Sequence, residues 1–375
     1  MVIRDQNPAS PDPIHIRDWF LSAVGSLPAL SANPDKNILS SRIKSRCFWT
    51  AAAAQKPDKL AITQHLYLDK LNMSQSQLSY ARYGKDNVRL FKVRREDNGM
   101  QHITEMTVCT LLEGDIEESY TKADNSPVVA TDTQKQTVYV LAKQNPVDPP
   151  ELFAAILGQH FIDTYSHIHV AHVKIIVHRW SRMTVDGEAH PHSFLRDGTD
   201  KRTIEVVARR GQGITIKSGI DGLLVLKSTG SAFYGFHRDE YTRLPETWDR
   251  ILSTEVQNSW QWKQFKDVEQ VRKEQDKFNK CYEAARQITI DTFAKENSPS
   301  VQATMYNMCD QILAIAPDTT DIEYTLPNKH YFEIDLSWFK GLKNTGKDAE
   351  VYAPQSDPNG LIHCRVSRKD PKAKL

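Results

Sequence analysis

The sequence predicts an α+β fold in which antiparallel strands pack against amphipathic helices. From Tyr83 onward, short stretches alternate apolar and polar residues between polar turns, as half-buried strands do. Longer segments instead place apolar residues at helical spacing. The C-terminal half repeats this plan of strands and helices without a close sequence repeat. These three observations predict two similar α+β units.

Strands in the first half are predicted at residues 88–93, 103–112 and 137–141, where the pattern is β-like. Thr131 and Asp132 lie directly between two apolar runs, the second of which is this third predicted strand. Polar atoms fixed at the end of a strand are well placed for chemistry, so this pair is a candidate for a functional role. Thr and Asp are also ordinary turn formers, because their short side chains bond to nearby backbone.

A helix is predicted after Pro149 and Pro150, which suit a first helical turn and precede apolar residues at helical spacing as far as Tyr165. Strands resume after this helix and alternate as antiparallel strands do when one face meets a core. They are expected at residues 173–180, 203–208, 213–217 and 223–227.

The second half is predicted to contain two further helices, at residues 281–295 and 301–315. Its strands are expected at residues 260–262, 331–339 and 361–366. The segment Ser298-Pro299-Ser300 precedes the last helix and supplies a capping serine and a proline suited to a first turn. Free backbone N–H groups at such a helix start favour an anion.

The composition argues against several classes of partner. Lys and Arg number 48 against 47 Asp and Glu, so the formal charge of +1 predicts no general attraction to nucleic acid or to an anionic membrane. No apolar run approaches the ~20 residues of a membrane helix, which predicts a soluble chain. Five cysteines without a Cys-x-x-Cys pair predict reduced, structural thiols in an intracellular protein; they are Cys47, Cys109, Cys281, Cys309 and Cys364.

Residues 1–72 differ from the rest of the chain, since they contain six prolines and little sustained periodicity. They are expected to form a poorly ordered N-terminal extension. Serines and arginines at residues 40–46 are typical of a transit peptide, but the acidic residues of this segment are not. A start codon placed too early, with Met73 as the true start, is the alternative interpretation.

Four stretches of sequence together carry a family resemblance. They are Arg82-Tyr-Gly-Lys-Asp-Asn-Val-Arg-Leu90, Val129-Ala-Thr-Asp-Thr133, His178-Arg-Trp180 and Leu326-Pro-Asn-Lys-His-Tyr-Phe-Glu-Ile-Asp335. With them the chain resembles the urate oxidase (uricase) family, in its fungal form with an unusual N-terminal extension. The similarity extends from about Ala81 to the C-terminus. It implies two tandem tunnelling-fold domains, at residues 73–211 and 212–372, each an antiparallel four-stranded sheet with helices on one face. It also implies a homotetramer with a central tunnel.

The reaction implied by the resemblance is the cofactor-free oxidation of urate by O2 to 5-hydroxyisourate and hydrogen peroxide. By resemblance, Lys85 and Thr131 form the proton-accepting dyad and His330 is the proton relay. Imidazole suits a relay because its pKa of about 6.5 is close to neutrality. Without the resemblance, Lys85 would be read as a solvated charge and His330 as a structural histidine.

The resemblance also assigns substrate-binding positions, with Asn328 holding oxygen or the attacking water. A guanidinium fork such as that of Arg250 can make two parallel bonds to a flat anion, and an aromatic ring can stack on a purine. The full set is Thr131, Asp132, Phe233, Leu244, Arg250, Val301, Gln302 and Asn328. Because tunnelling-fold sites form between subunits, Arg250 and Gln302 are expected to complete a site that contains Thr131 and Asp132 of a neighbouring subunit.

Several histidines leave an alternative open, because they could be taken for metal ligands; they are His167, His169, His172, His178, His190 and His192. Strand alternation puts His167 and His169 on one face, and related tunnelling-fold enzymes that act on pterins bind zinc through histidine. A metal-dependent pterin enzyme is therefore the second hypothesis, and a non-catalytic purine-binding or assembly protein is the third. The resemblance implies neither a metal nor a cofactor.

The C-terminal residues 373–375 are Ala-Lys-Leu, which is similar to a Ser-Lys-Leu peroxisomal signal with alanine in the first place. A peroxide-generating oxidase has reason to reside with catalase. The sequence thus predicts a peroxisomal protein that binds the import receptor through this tripeptide.

Overall fold

The structure is a computed structural model, and it describes residues 76–369. Ten strands are found in this part of the chain, and all of their pairings are antiparallel. In chain order they are β1 (Tyr83–Arg95), β2 (Gln101–Gly114), β3 (Ile168–His178), β4 (Ser181–Val185), β5 (Glu188–Leu195), β6 (Lys201–Arg209), β7 (Gly213–Lys227), β8 (Leu252–Trp262), β9 (Thr319–Glu333) and β10 (Tyr352–Ser367).

Six α-helices accompany the strands within the described residues. They are α1 (Glu117–Thr121), α2 (Thr131–Gln144), α3 (Pro150–Thr164), α4 (Val268–Lys273), α5 (Asp276–Lys295) and α6 (Val301–Ile315). A single 3-10 turn covers Gly346–Asp348. No helix within residues 76–369 is both long enough and apolar enough to cross a bilayer.

Eight strands form one sheet in the order β1-β2-β3-β6-β7-β8-β9-β10, and β4 and β5 form a separate hairpin. The sheet consists of two four-stranded halves that meet where β6 pairs with β7, from Lys201 opposite Asp221 to Arg209 opposite Gly213. This architecture confirms the predicted α+β class and the tandem four-stranded halves. The domain boundary between residues 211 and 212 falls in the tight turn between β6 and β7 and stays a prediction.

One face of the sheet is covered by helices, because alternate strand residues are buried and belong to the same apolar core as the helices. In β6, for example, Ile204, Val206 and Ala208 are buried while the residues between them are more exposed. Helices α2 and α3 pack on the first half of the sheet, and α5 and α6 pack on the second.

Two elements differ from the sequence prediction. Residues 137–141 were expected to be a strand but belong to helix α2, whose buried residues Gln134, Val138 and Ala142 recur every four positions. The predicted strand at residues 331–339 was wrong in its bounds, since β9 ends at Glu333 and turns follow. In both cases the alternation of apolar residues over a few positions was not sufficient to distinguish a strand from a helix or from a turn.

The remaining predictions were closer. The bounds of α6 agree with the predicted residues 301–315, and α3 was expected as a helix after the two prolines. The segments predicted at residues 213–217 and 223–227 are the two ends of one strand, β7. The predictions for residues 1–72 and 373–375 lie outside the described residues.

A buried ion pair joins the two halves of the sheet. The carboxylate of Glu151, in the first turn of α3, accepts hydrogen bonds from Arg202 of β6 at 2.7 Å and from the Ser218 hydroxyl of β7 at 2.7 Å. Trp262 of β8 donates its indole N–H to Ser218 at 2.9 Å, and Arg202 also donates to Asn279 of α5 at 2.7 Å. Glu151 is fully buried, so its charge depends on these donors.

We expect Glu151→Gln to lower the free energy of unfolding by about 3 kcal/mol, because it leaves the buried guanidinium of Arg202 without its counter-charge. The matched control is Glu205→Gln, which removes the exposed pair between Lys174 and Glu205 and should change that free energy by less than about 1 kcal/mol. Urea unfolding at equal protein concentration would compare them. Equal losses in the two variants would contradict a special role for the buried pair.

Candidate active site

The first group of predicted site residues lies where β1 begins. Lys85 pairs with Thr110 of β2 and is followed by a β-bulge, in which Asn87 adopts a positive φ of 56°. Gly84 is required beside it, because a Cβ atom at this position would lie 1.8 Å from the Thr110 carbonyl oxygen. The bulge and the glycine together set the direction in which the side chain of Lys85 extends from the strand.

Two hydrogen bonds bring helix α2 to this end of β1. The backbone N–H of Val129 donates to the Tyr83 hydroxyl at 2.6 Å. The buried hydroxyl of Thr110 donates to the side-chain carbonyl of Gln134 in the first turn of α2 at 2.9 Å. Tyr83 is two residues before Lys85, and Thr110 pairs with Lys85. Val129 and Gln134 lie on either side of Thr131, so the two bonds hold the segment of Lys85 against the segment of Thr131.

Thr131 and Asp132 therefore lie at the start of a helix and not at the end of a strand. Thr131 is the first residue of α2 and is partly exposed. Asp132 forms an ion pair with Lys135 one turn later. The hydrogen bond and charge of Lys135 lower the pKa of the Asp132 carboxyl, and the charge of Lys85 adds to this effect. The structure thus places Lys85 and Asp132 within electrostatic reach of each other.

The second group is carried by the loop at residues 228–251, between β7 and β8. Phe233 and Thr247 exchange two backbone hydrogen bonds of 2.7 and 3.0 Å, which close this loop into a hairpin. The Arg250 guanidinium lies over the Phe233 ring at 5.3 Å from its centroid. Leu244 is on the same loop and is half exposed.

Arg250 is a cation that lacks a hydrogen-bond partner for one of its N–H groups among the described residues. Burial lowers the pKa of its guanidinium. Its Nε atom is buried and has no hydrogen-bond partner among the described residues. Because a buried N–H group without an acceptor is unfavourable, this atom is a candidate donor to a bound anion.

Helix α6 begins next to this loop. Its N-cap is Ser300, whose hydroxyl oxygen accepts a hydrogen bond from the Ala303 N–H at 3.2 Å. The predicted serine cap is correct, but Pro299 precedes the cap and is not in the first helical turn. Ser298 joins the helix start to the loop, since its N–H donates to Gly230 at 2.9 Å and its carbonyl accepts from Ala232 at 2.8 Å.

Val301 and Gln302 are thereby the first two helical residues of α6. The Val301 side chain is buried, whereas Gln302 is exposed. Their backbone N–H groups have no intrahelical acceptor, because the first turn of a helix lacks one. A helix start of this kind can hold an anionic edge of a ligand.

Asn328 and His330 complete the second group on strand β9. They are two residues apart on a strand and therefore face the same side. Asn328 pairs with Thr254 of β8, four residues after Arg250. Burial, and secondarily the charge of Arg250, lower the pKa of His330, so its imidazole is neutral near pH 7.

Three residues that the sequence did not single out support these groups. Asp249 accepts hydrogen bonds from the Thr229 hydroxyl at 2.7 Å and the Gly230 N–H at 2.8 Å, which fixes the backbone beside Arg250. Phe236 stacks on Phe233 with centroids 5.0 Å apart. Gly84 carried a signal, since a glycine inside a strand indicates close approach of another backbone.

The two groups lie far apart in one chain. Lys85 is on β1, an edge strand of the sheet, whereas His330 is on β9, and five strands separate them. At a strand spacing of ~4.8 Å, this separation is about 29 Å along the sheet. No single purine can therefore contact both groups of one chain.

Three of the histidines that could be taken for metal ligands have another partner. His167 bonds to the Pro127 carbonyl at 2.8 Å, His169 pairs with Asp115 at 3.0 Å, and His178 bonds to the Thr107 hydroxyl at 2.9 Å. Within residues 76–369, no three His, Cys, Asp or Glu side chains are grouped as metal ligands would be.

Comparisons with known proteins agree with this architecture. A sequence model of the family described as Uricase matches residues 81–207 and 216–363. The uricase of Aspergillus flavus is 62% identical over 301 residues, which cover 80% of this chain and 100% of that protein. The uricase of Cyberlindnera jadinii is 49% identical over 304 residues, which cover 80% and 99% of the two chains.

The fold is shared with a solved structure. The crystal structure of uricase from Arthrobacter globiformis matches with a TM-score of 0.70 at 35% identity, and the match covers 80% of this chain and 98% of that one. The match to the family model spans more than half of the chain, and the chain therefore belongs to the uricase family.

Proposed function

We propose that the chain is a urate oxidase, in which urate, O2 and water give 5-hydroxyisourate and hydrogen peroxide in purine catabolism. The observation that carries this proposal is the cluster formed by Arg250, Phe233 and the start of α6, which Ser298 joins to the 228–251 loop. It combines a half-buried cation with an unpartnered N–H, an aromatic face and free helical N–H groups. A flat anion with polar edges is the ligand that these three features have in common.

In the proposed complex, urate binds against this cluster and is held from two sides. Arg250 donates to one edge of the anion, and the Val301 N–H with the Gln302 amide donates to the opposite edge. Phe233 stacks on the ring and Leu244 closes the side of the pocket. These contacts fix the plane of the substrate, which is the precondition for directing a proton and an oxygen molecule to defined atoms.

Proton removal is the second task, because O2 accepts electrons far more readily from a deprotonated, electron-rich urate. The Thr131 hydroxyl takes a proton from the substrate and passes it to the Lys85 amine. His330 relays protons as a neutral imidazole, and Asn328 on the same face holds O2 and then the attacking water.

The site is completed by a second copy of the chain. Thr131, Asp132 and Lys85 of one subunit meet Arg250, Gln302 and His330 of its neighbour. This arrangement is supported by the ~29 Å between the groups in one chain and by the position of β1 and β10, each of which has a neighbouring strand on one side only within the described residues. If such edges pair between copies of the chain in a closed symmetric assembly, the product is the homotetramer that the family resemblance implies.

We expect Lys85→Met and Arg250→Gln to separate catalysis from binding. Lys85→Met should lower kcat by about 100-fold or more, because the general base is lost, while KM changes by less than about threefold. Arg250→Gln should raise KM by about 10- to 100-fold, because a charged hydrogen bond to the substrate is lost. Oxygen uptake with urate in metal-free buffer measures both constants.

Matched control variants for this experiment are Lys143→Met, at the exposed end of α2, and Arg243→Gln, on the exposed surface of the 228–251 loop. Both should retain wild-type constants. An equal loss of affinity in Lys85→Met and Arg250→Gln would refute the division of roles. Absence of oxygen uptake by the wild-type protein would refute the proposed function.

Hybrid tetramers provide a test of shared sites. The Lys85→Met and Arg250→Gln chains, each carrying a different affinity tag, are coexpressed and purified through both tags. About one quarter of the sites in randomly assembled hybrids would combine an intact Lys85 with an intact Arg250, and activity should return in that proportion. Verified hybrids with no more activity than the two parent variants would contradict a site divided between subunits.

A peroxisomal location is proposed on the basis of the Ala-Lys-Leu tripeptide at residues 373–375, which is similar to the signal that the import receptor binds. We expect the chain with an N-terminal fluorescent tag to enter peroxisomes, and the variant lacking Leu375 to remain outside them. Imaging against a peroxisomal marker measures this, and replacing residues 373–375 with Ser-Lys-Leu is the positive control. Identical distributions with and without Leu375 would refute this role of the tripeptide.

A further inference from the structure

Two thiols lie next to each other between helix α6 and strand β10. The Sγ atoms of Cys309 and Cys364 are 4.0 Å apart. Cys309 is fully buried on the inner face of α6, and Cys364 packs against the core from β10 while remaining partly exposed. Both are reduced in this structure.

This proximity distinguishes the pair from the other thiols within residues 76–369. Cys109 on β2 and Cys281 on α5 are also free, and neither has a second thiol within hydrogen-bond distance among those residues. A disulfide has an S–S length of about 2.05 Å, so the sulfurs of Cys309 and Cys364 need to approach by roughly 2 Å. Side-chain rotation and a small shift of the edge strand can supply a movement of this size.

We propose that Cys309 and Cys364 are a peroxide-oxidised dithiol, which forms a disulfide with the hydrogen peroxide that the reaction releases. This inference rests on the proposed function only for the source of the oxidant. The partly exposed Cys364 sulfur attacks one peroxide oxygen, the O–O bond breaks, and water leaves as a sulfenic acid forms. The Cys309 sulfur then attacks the Cys364 sulfur, the S–O bond breaks, and the Cys309 proton leaves with the hydroxyl as a second water.

The electrons balance in these two steps. The two thiols lose two electrons and two protons, and one hydrogen peroxide is reduced to two molecules of water. Burial raises the pKa of both thiols, which keeps the reactive thiolate scarce. The crosslink therefore accumulates over many turnovers and does not compete with each catalytic cycle.

The crosslink would connect α6, which carries two of the proposed urate-binding residues, to β10, which pairs with the strand that carries Asn328 and His330. Helix α6 begins with Val301 and Gln302, two turns before Cys309. In β10, Gly360 pairs with Asn328 and Gln355 pairs with His330. A disulfide between α6 and β10 would stabilise this arrangement against unfolding, because it restricts the unfolded chain. Peroxide would thus stabilise the enzyme that produces it.

The first experiment adds hydrogen peroxide to the purified full-length protein without urate. The expected product has lost two hydrogen atoms by intact mass, contains a Cys309–Cys364 crosslink by non-reducing peptide mapping, and melts at least about 4 °C higher than the reduced protein. Cys109→Ser and Cys281→Ser, as matched controls, should form the same crosslink. Cys309→Ala and Cys364→Ser should each lack both the crosslink and the rise in Tm.

The second experiment replaces added peroxide with urate and O2, with and without catalase. The crosslink should form during turnover and be suppressed by catalase. Absence of the crosslink in both experiments, or the same rise in Tm in Cys364→Ser, would overturn the proposal. If urate turnover releases peroxide but no crosslink forms, the part of the proposal in which the enzyme's own product is the oxidant is overturned. Absence of turnover would refute the proposed function, while the first experiment still decides whether the dithiol reacts.

Discussion

The buried ion pair between Glu151 and Arg202 is the constraint on which the arrangement of the two halves depends. An unpaired charge in a core is strongly unfavourable, so both groups must remain together in the folded chain. Because Ser218 binds the same carboxylate from the second half, the pair also fixes β7 against α3. The eight strands form one continuous sheet through the pairing of β6 with β7, and the ion pair ties this junction to α3. The two groups of candidate site residues therefore lie near opposite ends of the same sheet.

The sequence predicted elements whose signals are local. Helix α6 could be placed because Ser300 caps it and its apolar residues recur at helical spacing over four turns. The prediction for helix α2 was wrong because the apolar residues Val138, Val140 and Ala142 occupy every second position, as they would on one face of a strand. Its helical face includes the buried polar Gln134, whose hydrogen bond to Thr110 no local pattern reveals. Contacts with the rest of the fold thus favour a helix here, although the spacing of the apolar residues is that of a strand.

The active-site residues could be named from the family resemblance, but their grouping could not be derived from the chain. Lys85 and Asp132 are close because Tyr83 binds Val129 and Thr110 binds Gln134. Arg250 reaches Phe233 because Asp249 and the Phe233–Thr247 hairpin fix the loop between them. Each contact joins residues far apart in sequence, and an isolated Lys, Arg or Thr carries no sign of such a partner.

The proposed division of the site between subunits would have a chemical consequence. The cluster of Arg250, Phe233 and the start of α6 lies within one chain, whereas the proposed base, Lys85 with Thr131, would be supplied by a neighbour. Binding and proton removal would then be coupled through assembly, and a lone subunit would hold urate without oxidising it. Because catalysis requires the base and the clamp to be positioned to within a fraction of an ångström, the continuous sheet that connects the two groups in each chain would determine the geometry of both sites to which that chain contributes.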